Sequence, residues 1–228
     1  MKTLLIDLFK RTQFLFFPVL MLEIISKIVM KLQNSSQLIM LHTIWIMLAA
    51  FFLIIYSVRD LFKLIFTRNQ FFYYSMKYKP TTILFLKSLM YIFMNYLFYL
   101  VYVPQINIEA IYKFEALFTF YMLNAAILML LKSIKANSLV YIIAVILILG
   151  IIVTGFMTYF YSQMPHWMIG ANDYHSAKQV YLTIIPITFL GLAGDYSKVI
   201  HSAIEMNGLL STLGLGIFIY ANKLKANW

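Results

Sequence analysis

From Tyr141 to Phe160 the chain runs for twenty residues without one charged side chain. A helix needs about 20 consecutive apolar residues to cross a hydrocarbon core roughly 30 Å thick. The other structure that can span lipid, a strand of a closed barrel, alternates apolar and polar positions over roughly ten residues. This run does not alternate. It dictates a helix, whose backbone groups satisfy one another where no water is present.

The run is one of a series. Phe14–Leu32, Leu38–Val58, Thr81–Val103, Ala116–Leu131, Val140–Tyr161 and Ile204–Ala221 all read as spans. Val180–Ala193 is also apolar, but it is short and broken by Pro186 and Gly191, so it reads as a re-entrant or interfacial piece. Charged residues make up 11% of the chain and hydrophobic ones 63%. A soluble domain carries about a quarter charged residues, so too few polar groups exist to cover a water-facing surface. The expected fold is an all-α polytopic membrane helix bundle, with six transmembrane helices in a single domain over residues 1–228.

The formal charge of +10 would suggest nucleic acid on a soluble protein, so its distribution decides. With the N-terminus inside, Lys2, Lys10 and Arg11 face the cytoplasm. So do Arg59, Lys63, Arg68, Lys77 and Lys79 after the second span, Lys132 and Lys135 after the fourth, and Lys223 and Lys225 at the end. Those twelve stand against Lys31, Lys113, Lys178 and Lys198 outside, while Lys27 and Lys87 lie within spans. Basic residues concentrate on cytoplasmic loops, so the charge reports topology and no nucleic acid is expected. The expected location is the plasma membrane of a bacterium with an AT-rich genome, with both termini cytoplasmic and no removable signal peptide.

Chemistry is sparse. Cysteine is absent, which excludes disulfides and thiolate chemistry. No G-x-x-x-x-G-K-[ST], H-E-x-x-H or G-x-S-x-G motif occurs. His42, His166, His175 and His201 lack metal-ligand spacing, and His166, Asp173 and His175 read as solvated loop residues. No catalytic residue, metal site or enzymatic activity is expected.

Three stretches lie outside the spans. In residues 1–12, Leu4, Leu5, Leu8 and Phe9 share one helical face and Lys2, Asp7, Lys10 and Arg11 largely the other, the pattern of an interfacial helix. Residues 59–75 are similar: Val58, Leu61, Phe62 and Ile65 recur at three and four residues among Arg59, Asp60, Lys63 and Arg68. Residues 162–202 form a long outer connection that includes the broken apolar piece.

Polar residues inside spans are costly and therefore informative. Glu23, Lys27 and Lys31 repeat every four residues; Glu23 can pair with Lys27, as an internal ion pair or facing a substrate path. Asn95 and Asn124 suit interhelical hydrogen bonds or substrate contact. His42 and Glu205 lie near the outer ends of their spans, and Lys87 is placed to snorkel toward headgroups. Gly208, Thr212 and Gly216 repeat every four residues, which lets another helix approach, within the chain or in a second subunit.

An amphipathic start, a basic amphipathic segment between spans two and three, and a broken segment before the last span together resemble the type-two export permeases of ABC transporters. The resemblance covers essentially the whole chain. Lys79-Pro80-Thr81-Thr82 followed by Ile83-Leu84-Phe85-Leu86-Lys87 is similar to the family's opening of the third span, while Thr67-Arg68-Asn69-Gln70 stands where the family has an acidic-Gly coupling element. The resemblance implies that residues 1–12 are an elbow helix and 59–75 a coupling segment. Arg59, Asp60, Lys63, Arg68, Lys77 and Lys79 would then dock a separate cytoplasmic ATPase that binds ATP and Mg, with no cofactor on this chain. It also implies a second permease subunit. Small permeases of this composition resemble exporters of amphipathic peptides, such as phenol-soluble-modulin exporters, and bacteriocin export or immunity permeases. Twenty Phe, 17 Tyr and 14 Met permit an adaptable lining, or simply pack and anchor spans. A non-transporting immunity or assembly protein and a secondary transporter remain the alternatives from other classes.

Overall fold

The computed structural model describes residues 2–32, 35–66, 79–102, 108–133, 139–145, 147–148, 151 and 197–223. Among them α1 is Lys2–Leu32, α2 Ser36–Phe66, α3 Pro80–Tyr102, α4 Ile108–Ser133 and α5 Ser197–Lys223, and 139–145, 147–148 and 151 are also helical. The described residues are helical apart from the short approaches to helix starts. Three of these helices contain stretches long and apolar enough to cross a membrane: Ile44–Phe66, Thr81–Val101 and Ala110–Ser133. The chain divides into two compact units, Met1–Gln105 and Ile106–Trp228.

In the first unit, α1 and α2 form a hairpin through a short connection, and α3 packs on both. α1 and α3 run parallel, because Thr12 meets Met90, Phe16 lies against Tyr91 and Lys27 reaches Val101. The buried face of α1 is Leu8, Thr12, Phe16 and Glu23, at helical spacing. On α2 the buried series is Ile46, Ala49, Leu53, Ser57, Leu61, Leu64 and Ile65, while Leu48, Phe51, Phe52 and Ile55 are exposed. Such exposed apolar faces match the composition argument: they suit lipid and would be costly in water.

Two boundaries expected from sequence are not there. α1 runs without interruption from Lys2, so residues 1–12 are not a separate elbow helix. α2 likewise continues through Arg59 to Phe66. The physical reason is the same in both places. Neither Arg11–Phe14 nor Val58–Lys63 contains Gly or Pro, and a helix propagates until something breaks it. Pro18 lies inside α1, beyond the expected elbow. Residues 67–78, including the second half of the expected coupling segment, lie outside the described residues, as do 152–196.

The second unit is organised by α4 and α5. Every residue from Tyr121 to Met129 is buried, so this part of α4 is enclosed on all sides, as expected of a helix apolar all round. Thr119 meets Asn207, and Met122 and Leu123 meet Gly214, so α4 and α5 run parallel. A Cβ built on Gly214 would lie 3.3 Å from the Leu123 side chain and 3.4 Å from the Leu123 nitrogen, so α4 and α5 approach closely at this point.

Candidate functional site

Polar side chains in the first unit fall into two groups. One lies between α1 and α2. His42 Nε2 is 3.0 Å from Glu23 Oε1, and both residues are buried. The second carboxyl oxygen, Glu23 Oε2, is buried with no hydrogen-bond partner, as is the Trp45 indole N–H one turn from His42. Lys27 donates to the Val101 carbonyl of α3. The helical repeat suggests a Glu23–Lys27 pair. The carboxylate instead meets an imidazole on the neighbouring helix, and the lysine ties α1 to α3.

The second group lies between α2 and α3. Lys87 Nζ is 2.6 Å from Asp60 Oδ2, and Tyr91 donates its hydroxyl to the same oxygen. Lys87 and Tyr91 are four residues apart, so one face of α3 delivers both donors to one carboxylate. Asn95, one turn on, donates to the Tyr91 carbonyl within its own helix. Lys87 is therefore a buried ion-pair partner and does not snorkel outward. Asp60 is committed to α3, whereas Arg59 and Lys63 are exposed. Phe62 stacks on Phe66 at 4.9 Å, while Leu61, Leu64 and Ile65 are buried.

Lys79 is exposed, and its carbonyl accepts the first backbone N–H groups of α3, from Thr82 and Ile83. Pro80 at the first helical position has no N–H to leave unmet, so the Lys79-Pro80 pair starts the helix cleanly. Arg68 and Lys77 lie outside the described residues.

In the second unit, Tyr141 donates to Asn124 Oδ1 from another helical stretch. Its Nδ2 has no partner. The Thr119 hydroxyl donates to the Asn207 carbonyl at 3.0 Å, and both atoms of the fully buried Asn207 carboxamide are unpartnered. Glu205 is exposed. Gly208 and Gly216 meet nothing within 4 Å, and Thr212 is exposed with its hydroxyl bonded to the Leu209 carbonyl. The face of α5 that packs is instead Asn207, Ser211, Gly214, Phe218 and Ala221.

Sequence reasoning passed over Tyr91, Tyr141, Thr119 and Asn207. The first left a trace, the four-residue repeat Lys87, Tyr91, Asn95. The others depend on which helices become neighbours. Among the described residues, no cluster of three or more His, Asp or Glu is placed to hold a metal ion.

No protein-family model matches this chain, and neither curated proteins nor solved structures show a significant match to it. The class the structure defines is an all-helical protein with apolar helices suited to a membrane.

Proposed function

We propose that the chain is the transmembrane permease subunit of an ABC exporter, moving amphipathic or hydrophobic peptides out of a bacterial cell. Its energy comes from a separate cytoplasmic ATPase that holds ATP and Mg. The observation that carries this reading is the Arg59–Phe66 end of α2. It presents exposed Arg59 and Lys63 one turn apart, while Asp60 of the same turn is fixed to Lys87 and Tyr91 of α3. A basic surface on a braced helix end is what a docking partner with an acidic groove requires.

The parallel course of α4 and α5 fits the topology of six spans. Two parallel spans need an odd number of crossings between them, and a single span at Val140–Tyr161 supplies one. The re-entrant reading of Val180–Ala193, which lies outside the described residues, adds no further crossing. Both termini lie in the cytoplasm, residues 1–12 meet the cytoplasmic leaflet as an extension of the first span, and a second permease subunit completes the pathway. The Gly208, Thr212 and Gly216 row, with open space beside both glycines, offers that subunit a close approach.

The test is co-expression with any ABC ATPase found encoded beside the gene, followed by detergent pull-down and ATPase assay with and without amphipathic peptide. A stable complex with peptide-stimulated hydrolysis is expected, and R59E/K63E is expected to lose the ATPase while unfolding as the parent does. A chain that purifies alone, with no ATPase captured, sinks the proposal in favour of an immunity or scaffold role.

A further inference from the structure

We propose that the exposed face of α2 holds an anionic phospholipid, with its phosphate at Arg59 and an acyl chain along Ile55, Phe52 and Leu48. The proposal goes beyond the permease reading and does not rest on it. It needs only that these apolar helices lie in a bilayer.

Three observations meet here, and the first is the row itself. Leu48, Phe51, Phe52 and Ile55 are large apolar side chains left exposed on α2. Arg59 and Lys63 are exposed too, and they continue the row at the four-residue spacing that keeps helical side chains in line. From Leu48 to Arg59 is about 16 Å along the helix. That is roughly half of a hydrocarbon core about 30 Å thick, so the row covers one leaflet from chain end to headgroup.

The second observation is depth. On α1 the exposed Lys10 and Lys31 bracket a stretch in which every exposed residue described is apolar, and on α2 Gln37 and Arg59 do the same. At 1.5 Å per residue the two stretches measure about 32 and 33 Å, close to the thickness of the hydrocarbon core. Thr12 of α1 meets Met90 of α3 and Asp60 of α2 meets Lys87, so Lys10 and Arg59 mark the same end. Arg59 therefore stands at the level of the lipid phosphates. Lys63 lies one turn further out and extends the positive field beyond them.

The third is charge. Asp60 is the one acidic residue of α2 and would repel a phosphate, but its carboxylate is turned to Lys87 and Tyr91 of α3. α3 itself carries no acid. The Asp60 contact thus braces α3 and also leaves the exposed row cationic. A guanidinium suits the ligand, because it offers paired N–H donors to phosphate oxygens and keeps its charge. Phosphatidylglycerol has a net negative headgroup and gains the full attraction. In phosphatidylcholine the choline cancels the phosphate charge, so it gains less.

The absence of cysteine allows a direct test. The full chain, alone in vesicles with no ATPase, carries one bimane label at I55C, an exposed position one turn from Arg59. Quenching by acyl-brominated phosphatidylglycerol is compared with quenching by brominated phosphatidylcholine at equal mole fraction. The same comparison is made at L213C, exposed on α5. At I55C the anionic lipid should be favoured by about fivefold in relative association, the worth of one cation at a charged surface. R59Q should bring the ratio near parity, R59K should keep most of it, and L213C should show no preference. High salt should collapse the preference of the chain with Arg59 intact, which carries the test should R59Q fail to fold. Equal quenching by the two lipids, a preference that survives R59Q or high salt, or one equally strong at L213C overturns the proposal. So does its loss to inorganic phosphate at matched ionic strength, which would make a soluble anion the ligand.

Discussion

Removing the two partners of the Asp60–Lys87 pair should have unequal costs. The Lys87 side chain is 6% exposed and that of Asp60 28%. D60L takes the carboxylate away from a nearly dry ammonium and from the Tyr91 hydroxyl that donates to it. Breaking a buried pair in this way costs about 3–5 kcal/mol. K87M leaves a carboxylate that is partly wet and still accepts from Tyr91, so the loss should be about 1–2 kcal/mol, nearer the value of a hydrogen bond to a charged group. The double variant D60L/K87M removes both desolvated charges and restores apolar packing. It should fall within about 1–2 kcal/mol of the parent, since apolar replacements of buried pairs are often near neutral. Reversible unfolding in mixed micelles, followed by the tryptophan fluorescence of a chain with three Trp, reads all four corners of the cycle. A double variant as unstable as D60L, or K87M costlier than D60L, would refute the claim that charge burial at this contact sets the energetics.

Three further outcomes are expected from the second unit. G214A should stay within about 1 kcal/mol of the parent, because added helix propensity offsets a Cβ 3.3–3.5 Å from Leu123 and Met122. G214L, which must force α4 and α5 apart, should cost about 2–3 kcal/mol in the same unfolding assay, and equal stabilities would show that the two helices are not in close contact. N207L should stabilise the fold by about 1 kcal/mol, because it exchanges a buried carboxamide with no partner for an apolar group of similar size; destabilisation would reveal a partner for that amide. Y141F should cost about 1–3 kcal/mol by leaving the Asn124 amide wholly unmet, and the cost should shrink sharply in Y141F/N124L.

The helices were largely legible in the sequence. Thr81–Val103 became Pro80–Tyr102, and Leu38–Val58 lies inside α2. Apolar length fixes such elements because the backbone must satisfy itself. Ends were less legible: charge marks where lipid should stop, but hydrogen bonding carries α1 and α2 straight through Arg11 and Arg59. Partners were least legible. The repeat Glu23, Lys27, Lys31 gives neighbours along one helix, but not that His42 stands across from Glu23, or that Val101 offers Lys27 a carbonyl. On α5 the regular row is Gly208, Thr212 and Gly216, yet the buried residues are Asn207 and Ser211, each one position earlier, and Gly214, two before Gly216. One residue shifts the face by about 100°, and only the neighbouring helix decides which face is inside.

The unbroken course of α2 has a mechanical consequence. A 31-residue helix is about 46 Å long at 1.5 Å per residue, and a stiff rod of that length magnifies small rotations. A tilt of about 10° pivoting at Ser36 would sweep Phe66 through about 8 Å. Asp60 sits roughly 36 Å along the rod and grips Lys87, so α3 would be dragged through about 6 Å by the same swing. A nudge at one end of α2 is thus delivered to its neighbour as a displacement larger than a helical turn.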